Sequence, residues 1–329
     1  MTFYQKPFVY YSLPIILGLL VNSKKPKNCR VRLKIEDKNL FIKEKTMSIV
    51  ENKSSFRAAC IQLNSSRNAE ENIENIVKFF NVAVKNDSDF VTLPEVAGML
   101  EPNTTLLEQK VVYEKEDIIL SEIKKKTKQH NVWTLIGSLA IRVAEDRIVN
   151  RSFLIDNTGN IVARYDKIHM FDVDLDDGQR YRESDTYHSG TKVVLKDTPW
   201  GRLGFSICYD IRFSYLYRKL ARNGAEFITI PAAFTRVSGE AHWHVLQRAR
   251  AIETGSFIIS PAQCGKHADG RETYGHSLII DPWGNILAEG SNEPGVITAQ
   301  IKLSEVATAR RKIPSLLADS ENNLELTSI

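Results

Sequence analysis

The sequence predicts an α/β fold, a four-layer αββα sandwich made of two pseudo-repeated halves. From Phe56 onward, short runs of β-branched and aromatic residues alternate with amphipathic helical stretches, the pattern of a layered α/β domain. A strand–turn–strand segment occurs twice in the chain, and so does a strand that ends in proline. Two such halves would pack sheet against sheet with their helices outside, which predicts a functional site between them.

The repeated segments occur in the same order in both halves. Residues 152–163 (SFLIDNTGNIVA) match residues 277–288 (SLIIDPWGNILA), and each is typical of a strand, a tight Asp-x-x-Gly turn and a second strand. Residues 89–94 (DFVTLP) resemble residues 226–231 (EFITIP) in the same way. Because Asp-x-x-Gly hairpins are common, an accidental likeness is the alternative. The shared order favours duplication.

The first elements follow from the spacing of apolar residues. Residues 57–63 are an apolar run typical of a buried strand, and residues 69–84 carry apolar side chains at helical spacing. Residues 89–93 form the next predicted strand, which Pro94 ends. Glu95 therefore lies where a strand meets a loop, a frequent position for functional residues.

The bulk composition fits one large folded domain. The chain has 329 residues, of which 43% are hydrophobic and 26% are charged, enough to bury a full core. Much of the formal net charge of +4 lies near the N-terminus, so the body of the chain shows no basic surface for nucleic acid. We expect residues 1–54 to be a leader, residues 55–315 to be the folded domain and residues 316–329 to be a flexible tail.

The leader contains an apolar run at residues 8–21. Pro14 interrupts this run, which is short for a bilayer span, and no clear cleavage site follows it. We favour a disordered or non-native start, with Met47 as the candidate true first residue. Membrane attachment or export is the alternative, and no membrane partner is expected unless this run is a real anchor.

Four cysteines lie far apart in the sequence: Cys29, Cys60, Cys208 and Cys264. No C-x-x-C pair is present, so the sequence predicts neither a disulfide framework nor a zinc site. We expect no metal and no cofactor. A reducing, cytoplasmic compartment is the expected location.

Cys208 is the candidate nucleophile. Residues 203–213 (LGFSICYDIRF) begin as an apolar strand that stops at Cys208 and passes into a helical pattern, so the thiol is predicted at the end of a sheet. The backbone N–H of Tyr209 would face an oxyanion formed on a carbonyl that Cys208 attacks. An inert buried thiol is the alternative for any single cysteine. Cys60 and Cys264 fit that alternative better, because one lies in a strand and the other follows one.

A thiol nucleophile needs a base. Histidine is the usual choice, and His169, His242 and His244 are candidates, but papain-like and caspase-like signatures are absent around the thiol. A carboxylate can act instead if burial raises its pKa, and a lysine can stabilise the developing negative charge. Glu95 and Lys167 both follow predicted strands, although each alone is more typical of a solvated surface residue.

Three segments together resemble the signature of the nitrilase (carbon-nitrogen hydrolase) superfamily: residues 93–95 (LPE), 165–169 (YDKIH) and 204–213 (GFSICYDIRF). They occur in the family's order, and the similarity runs over residues 56–314. Flanking segments, among them residues 274–284 (YGHSLIIDPWG), look closest to the Nit-type amidase branch, which includes deaminated-glutathione amidase and omega-amidase. The family fold is an αββα sandwich, in agreement with the repeated segments.

The resemblance implies a role for each residue of the site. Glu95 would be the general base that takes the proton of Cys208 and later activates water. Lys167 would stabilise the tetrahedral oxyanion together with the Tyr209 N–H, and Glu183 would orient Lys167 and the substrate. Members of the family commonly form homodimers, so a homodimer or a higher homo-oligomer is expected.

The expected function is hydrolysis of a small-molecule amide through a thioester on Cys208. We expect an amidase that acts on non-peptide carbon–nitrogen bonds and releases ammonia from a carboxylate-bearing amide. One alternative is a nitrilase, which usually has Trp directly after the nucleophile where this chain has Tyr209; another is an N-carbamoyl hydrolase. An inactive scaffold or binding protein is disfavoured, because Glu95, Lys167 and Cys208 are all present.

The substrate itself is not evident from the sequence. The pocket depends on loops at residues 101–107, 178–185 and 234–240. Candidates for its wall are Phe234, His242, Arg182 and Arg236. The two arginines could hold a substrate carboxylate, although exposed loop arginines are more often plain surface.

Overall fold

The computed structural model describes residues 54–174 and 180–317. The predicted leader, Met47 and most of the predicted tail lie outside the described residues, so the domain boundaries stay predictions. Strands and helices alternate through the described part, as the sequence predicted. No helix there combines the length and the apolar character that a membrane span requires.

Sixteen strands and six α-helices follow one another along the described residues. In chain order the strands are β1 (Ser55–Gln62), β2 (Phe90–Thr92), β3 (Trp133–Ala144), β4 (Arg147–Ile155), β5 (Ile161–Asp166), β6 (Asp172–Asp174), β7 (Arg180–Arg182), β8 (Leu195–Asp197), β9 (Arg202–Phe205), β10 (Phe227–Thr229), β11 (Phe257–Ser260), β12 (Cys264–Lys266), β13 (Glu272–Tyr274), β14 (Leu278–Ile280), β15 (Ile286–Glu289) and β16 (Gly295–Lys302). The helices are α1 (Ala69–Lys85), α2 (Thr104–Lys110), α3 (Ile118–His130), α4 (Ser214–Arg222), α5 (Arg236–Thr254) and α6 (Ser304–Lys312).

Two six-stranded sheets share one architecture. The first has the order β16-β1-β2-β3-β4-β5, and the second has the order β15-β14-β11-β10-β9-β8. In the first sheet β1, β2 and β3 run parallel and the antiparallel hairpin β4–β5 follows. In the second sheet β9, β10 and β11 run parallel and the antiparallel hairpin β14–β15 follows. The architecture of two related halves is therefore confirmed.

The two equivalent hairpins also have equivalent turns. The aspartate of each turn, Asp156 or Asp281, accepts hydrogen bonds from two backbone N–H groups of the turn at 2.8 to 3.0 Å. The glycines Gly159 and Gly284 have φ of +85° and +87°. Because this left-handed conformation is unfavourable for residues with a Cβ, glycine is required at the same point of both turns.

The layer between the two sheets is an aromatic and aliphatic core. Alternate residues of β1, namely Phe56, Ala58 and Cys60, belong to this inner cluster. The Phe56 ring stacks on the Trp200 ring with 4.5 Å between centroids, and the Phe227 ring of β10 lies 5.1 Å away. The sheets therefore pack directly against each other.

Helices cover the outer faces of both sheets. The intervening β1 residues Ala59 and Ile61 pack in a separate cluster with Phe80 of α1 and Ile123 of α3. On the second sheet, the fully buried Trp243 of α5 packs with the residues of β10 and β11. The order helix, sheet, sheet, helix is the αββα sandwich that the sequence predicted.

The first helix shows why its sequence folds locally. α1 begins after Asn68, whose side chain accepts a hydrogen bond from the Glu71 N–H at 2.8 Å and so caps the helix. Acidic residues occupy its first turn and Lys85 its last, as the helix dipole favours. The helix predicted at residues 69–84 is confirmed, with one further residue at its end.

The ends of four strands bring candidate side chains together. Glu95 follows β2 and Lys167 follows β5, both in the first sheet. Cys208 follows β9 and Ala233 follows β10, both in the second sheet. All four line one cavity, which therefore lies between the two halves.

Candidate active site

Cys208 lies at a sharp bend between β9 and α4. β9 ends at Phe205, and a 3-10 turn at Cys208–Arg212 precedes the helix. The backbone φ of Cys208 is +46°, a left-handed conformation that is uncommon outside glycine, and its N–H donates to the Pro231 carbonyl oxygen at 2.9 Å. Strain of this kind costs on the order of 1–3 kcal/mol and is concentrated at functional sites.

Glu95 is buried beside the thiol, with 4% of its surface exposed. Its Oε1 accepts hydrogen bonds from Lys167 Nζ at 2.8 Å and from Asn150 Nδ2 at 2.9 Å. Its Oε2 accepts from the Ala233 N–H at 2.8 Å, so a backbone group of the second half orients a carboxylate of the first. Cys208 lines the same cavity as this carboxylate, whose negative charge raises the pKa of the thiol.

Lys167 is the buried cation of the site. Its Nζ lies 2.8 Å from Glu95 Oε1 and 2.7 Å from Glu183 Oε2. Burial lowers the pKa of Lys167, but the Glu183 and Glu95 carboxylates outweigh that effect and raise the pKa well above its usual range. Lys167 therefore remains an ammonium, the form that can stabilise an oxyanion.

Glu183 and Asn150 complete the polar cluster. Burial raises the pKa of Glu183, Lys167 lowers it and the charge of Glu95 raises it, with a net rise. The Asn150 side chain donates from Nδ2 to both carboxylates, at 2.9 Å to Glu95 and 3.2 Å to Glu183. One amide group thus fixes the spacing of the two acids that hold the lysine.

Asn150 is a site residue that the sequence analysis missed. It lies within β4 and is 1% exposed. Asparagine is disfavoured in strands, so an asparagine inside a predicted apolar strand was the available signal. Its Oδ1 is buried in the cavity lining and has no hydrogen-bond partner among the described residues, which leaves that oxygen available to a substrate N–H.

The Cys208 thiol is protonated in the resting site. Burial raises its pKa well above its usual range, the Glu95 carboxylate raises it further and Lys167 lowers it. In the part of the chain that the structure describes, no acceptor contacts the N–H of Tyr209, which follows the thiol directly. A thiol, a carboxylate, an ammonium and a free N–H thus lie in one cavity, the set of groups needed for attack on a carbonyl carbon.

Asp210 joins the bend at Cys208 to the strand that precedes Lys167. Its buried carboxylate accepts hydrogen bonds from the Tyr165 hydroxyl at 2.6 Å and from the His169 N–H at 3.1 Å, and His169 Nδ1 lies 2.6 Å from it. His169 was one of the histidines considered as a base. The structure instead pairs His169 with Asp210, outside the cavity lining.

A cavity of about 710 Å³ opens above the polar cluster. Of the pocket candidates, Phe234 and Arg182 line it, whereas His242 and Arg236 do not. The helical periodicity of α5 turns Ser238 toward the cavity and turns the other two side chains to the surface. There Arg236 forms ion pairs with acidic neighbours, and His242 lies 3.4 Å from an arginine.

Three arginines belong to the cavity wall: Arg180, Arg182 and Arg271. Arg180 Nε lies 3.2 Å from Asp174 Oδ1. Arg182 Nη2 lies 2.8 Å from Asp174 Oδ2, so this guanidinium already has an anionic partner. Arg271, which the sequence analysis did not identify, has its guanidinium 5.1 Å from the Tyr181 ring centroid and 3.6 Å from Asp269 Oδ2. Arg271 follows a tight turn, and nothing in its local sequence marks it as a wall residue.

The polar cluster does not offer a metal site. The Lys167 ammonium takes the position between Glu95 and Glu183 that a metal cation would need. Within the described residues, the group of three side chains able to hold a metal ion lies outside the cavity lining.

Comparison with known proteins identifies the family. Residues 57–311 match the family model described as carbon-nitrogen hydrolase. The chain is 39% identical over 264 residues to a deaminated glutathione amidase of Yersinia enterocolitica. The alignment covers 78% of this chain and 91% of that protein. It is 31% identical over 275 residues to nitrilase homolog 2 of Dictyostelium discoideum. That alignment covers 83% of this chain and 83% of the other protein.

Solved structures agree with this assignment. The NitFhit protein of C. elegans superposes with a TM-score of 0.75 at 32% sequence identity. The superposition covers 80% of this chain and 65% of the NitFhit chain. Nit3 of Saccharomyces cerevisiae, a member of branch 10 of the nitrilase superfamily, has a TM-score of 0.73 at 26% identity. The superposition covers 82% of this chain and 97% of the Nit3 chain. A mutant amidase of Nesterenkonia sp., with acrylamide added to its active-site cysteine, shares the fold with a TM-score of 0.67 at 20% identity. The superposition covers 79% of this chain and 98% of the amidase chain. This chain belongs to the carbon-nitrogen hydrolase family of the nitrilase superfamily and is a hydrolase of carbon–nitrogen bonds.

Proposed function

We propose that this chain is an amidase that cleaves a small carboxylate-bearing amide through a thioester on Cys208. The observation that carries the proposal is the buried cluster in which Lys167 Nζ lies 2.8 Å from Glu95 and 2.7 Å from Glu183, beside a thiol in a left-handed conformation. Such a cluster costs free energy to bury and is a candidate functional site for that reason.

The first half-reaction forms the thioester. Glu95 accepts the proton of the Cys208 thiol as the sulfur attacks the amide carbon, and the carbonyl oxygen becomes an oxyanion. Lys167 Nζ and the Tyr209 N–H stabilise this oxyanion. Glu95 then donates its proton to the leaving nitrogen, which departs as ammonia or an amine, and the acyl group stays on sulfur.

The second half-reaction restores the enzyme. A water molecule replaces the departed amine, and Glu95 takes one of its protons as the oxygen attacks the thioester carbon. The same two donors stabilise the second oxyanion. The thiolate of Cys208 then leaves and recovers its proton from Glu95, and the product is a carboxylic acid. Glu183 takes no proton in this scheme and holds Lys167 in position, at 2.7 Å.

The substrate class follows from the relatives and from the cavity wall. The Yersinia enterocolitica relative is named deaminated glutathione amidase, which supports an amide of that class for this chain. Arg271 and Arg182 line the cavity and can pair with a substrate carboxylate. Arg182 lies 2.8 Å from Asp174, whereas Arg271 lies 3.6 Å from its acidic neighbour Asp269, so the longer ion pair makes Arg271 the better candidate.

The test is a panel of substrates with purified protein. The panel contains ω-amides of α-keto acids, deaminated glutathione, simple nitriles and N-carbamoyl amino acids, with ammonia and primary amines measured as products. We expect turnover of an amide and its loss in Cys208→Ala, while Cys60→Ala, which removes a buried thiol of β1, retains it. Amide hydrolysis that survives Cys208→Ala would refute the mechanism. Turnover of nitriles or N-carbamoyl compounds alone would refute the substrate class.

We also propose that the chain forms a homodimer. The outer face of α5 and the chain after α6 expose large apolar side chains, among them Val245, Ile252 and Leu317, with 68%, 52% and 87% exposure. Exposed apolar residues grouped on neighbouring elements are typical of interfaces. Light scattering should give twice the chain mass for the wild type and the single-chain mass for Val245→Glu, and a wild-type monomer would contradict the proposal.

A reducing compartment is part of the same proposal. The three cysteines in the described residues are free thiols, and Cys208 must stay a thiol to act as nucleophile. Fractionation of the producing cell should find the protein in the cytoplasm. Its recovery from an oxidising compartment would contradict this location.

A further inference from the structure

Three side chains outside the active-site cavity converge on one point. They are His244 of α5, His276 before β14 and Glu289 at the end of β15. His244 Nε2 and His276 Nδ1 each lie 2.9 Å from the same oxygen, Glu289 Oε1. The three potential ligand atoms all lie within 4.8 Å of one another.

The position of His276 is fixed by its surroundings. Its backbone φ is +51°, an uncommon conformation for a residue with a side chain. Its N–H donates to the Ser291 carbonyl oxygen at 2.9 Å, and its own carbonyl oxygen accepts from Trp243 Nε1 at 2.7 Å. The Tyr274 ring stacks on the imidazole at 4.4 Å between centroids. This imidazole is therefore held in place before any ligand binds.

We propose that His244, His276 and Glu289 form a binding site for a divalent transition-metal ion of the Zn²⁺ type. Two imidazole nitrogens and one carboxylate oxygen are the three protein ligands of open zinc sites, whose fourth position is taken by water. Imidazole and carboxylate together also suit Ni²⁺ and Co²⁺, but not Mg²⁺, which prefers oxygen ligands and water.

The three ligand atoms are close enough to share one ion. Tetrahedral zinc with ligands at roughly 2.0–2.1 Å separates those ligand atoms by about 3.4 Å. Each nitrogen now lies 2.9 Å from the shared oxygen, so these two separations must lengthen by about half an ångström to reach the tetrahedral spacing. Each ring then presents an unprotonated nitrogen to the metal and carries its proton on the other nitrogen. The side chains are 28% to 37% exposed, which leaves the open position to solvent.

The sequence did not reveal this site. His244 and His276 lie 45 and 13 residues from Glu289, spacings that match no zinc motif. Only the packing of α5 beside the β14–β15 hairpin joins the three residues. A bound ion would therefore link the helix to the hairpin and stabilise the folded state.

The test is metal binding by the full chain. It is done in a Cys208→Ala background, so that the catalytic thiol cannot act as a ligand. After chelator treatment and its removal, Zn²⁺ affinity is measured by chelator competition, and Co²⁺ provides a visible spectrum of the coordination. The site variants are His244→Gln and Glu289→Gln, and His188→Gln is the control because it removes an exposed histidine elsewhere.

We expect one ion per chain, a Co²⁺ spectrum without a thiolate band, and a rise in melting temperature with Zn²⁺. Loss of a residue that only orients a ligand weakens metal affinity about 10–100-fold, so each site variant should lose at least about 10-fold while the control binds as before. Stoichiometric binding that is equal in the site variants and the control would overturn the proposal. The proposal would also be overturned if the correctly folded Cys208→Ala protein did not bind the ion. The cluster would then be only two histidines hydrogen-bonded to one carboxylate.

Discussion

The two halves of the sandwich have the same strand order but differ in the chemistry at the ends of equivalent hairpins. In the first half, β4–β5 carries Asn150 and leads into Lys167, which are 1% and 2% exposed. In the second half, the hairpin β14–β15 follows His276 and ends at Glu289, both partly exposed. The repeated framework is thus independent of the chemistry, which depends on residues at the strand ends.

The nucleophile and its base also come from different halves. Cys208 follows β9 of the second sheet, whereas Glu95 follows β2 of the first, and the Ala233 N–H of the second half holds Glu95 Oε2 at 2.8 Å. Neither half has all the groups that the proposed reaction needs. A substitution at a strand end should therefore change catalysis, and a substitution in the shared turns should change stability alone.

The largest effect is expected from Lys167→Met. It removes the oxyanion donor and leaves Glu95 and Glu183 buried without their cation, so we expect a loss of at least about 100–1,000-fold in rate and about 3–5 kcal/mol of unfolding free energy. The measurements are steady-state kinetics and denaturant unfolding. Lys192→Met, which changes an exposed lysine, is the control. Activity of the Lys167→Met protein within a few-fold of the wild type would contradict the role of this cation.

Asn150→Ala should have a smaller effect on rate. It removes the donor shared by two carboxylates, and a hydrogen bond to a charged group contributes about 1.5–3 kcal/mol, which corresponds to roughly 10–150-fold in kcat. Asn157→Ala, in the exposed turn of the same hairpin, is the matched control. If both variants kept wild-type kcat, Asn150 would have only a structural role.

The pH dependence of Cys208 alkylation tests how one half controls the other. Burial and the Glu95 charge raise the pKa of this thiol well above 9.0, so the thiolate fraction and the iodoacetamide rate should rise about tenfold per pH unit without a plateau up to pH 9. Glu95→Gln removes the negative charge that raises the pKa of the thiol, so the curve of alkylation rate against pH should move to lower pH. A plateau near pH 7 in the wild type would mean that the thiol is already ionised.

The smallest effect on activity is expected in the two shared turns. Gly159→Ala and Gly284→Ala place a Cβ at φ of +85° and +87°, which costs about 1–2 kcal/mol each. Gly159→Ala should lose more, because its Cβ would lie 2.9 Å from the Lys124 backbone oxygen, whereas that of Gly284 meets the movable Ile252 side chain. Thermal unfolding measures both losses, and Gly295→Ala, in open space, is the control. A change in kcat per folded molecule would contradict the separation of framework from chemistry.

The sequence predicted the fold because the repeats encode it locally. Each Asp-x-x-Gly hairpin and each strand that ends in proline is specified by neighbouring residues, and their order sufficed to predict two halves. Cys208, Glu95 and Lys167 were candidates from their positions after predicted strands, and the family resemblance assigned their roles and added Glu183. The structure brings all four to one cavity.

The remaining site residues depend on packing that no local pattern encodes. In the sequence, Asn150 is only an unfavourable residue within a predicted strand. Its role is evident only from the folded structure, where its side chain contacts two carboxylates. His242 and Arg236 were pocket candidates, but both lie on α5, whose orientation decides which of its side chains meet the cavity. Arg271 reaches the wall only because the strand after it folds back beside α5.

The central claim is that catalysis passes through an acyl group on Cys208. The most direct measurement is the mass of the peptide that contains Cys208, after rapid acid quenching of the enzyme with its best amide substrate. We predict a mass increase equal to the acyl part of that substrate, which hydroxylamine removes as the hydroxamate. Full turnover with no adduct on this peptide at any quench time, together with activity in Cys208→Ala, would contradict the account.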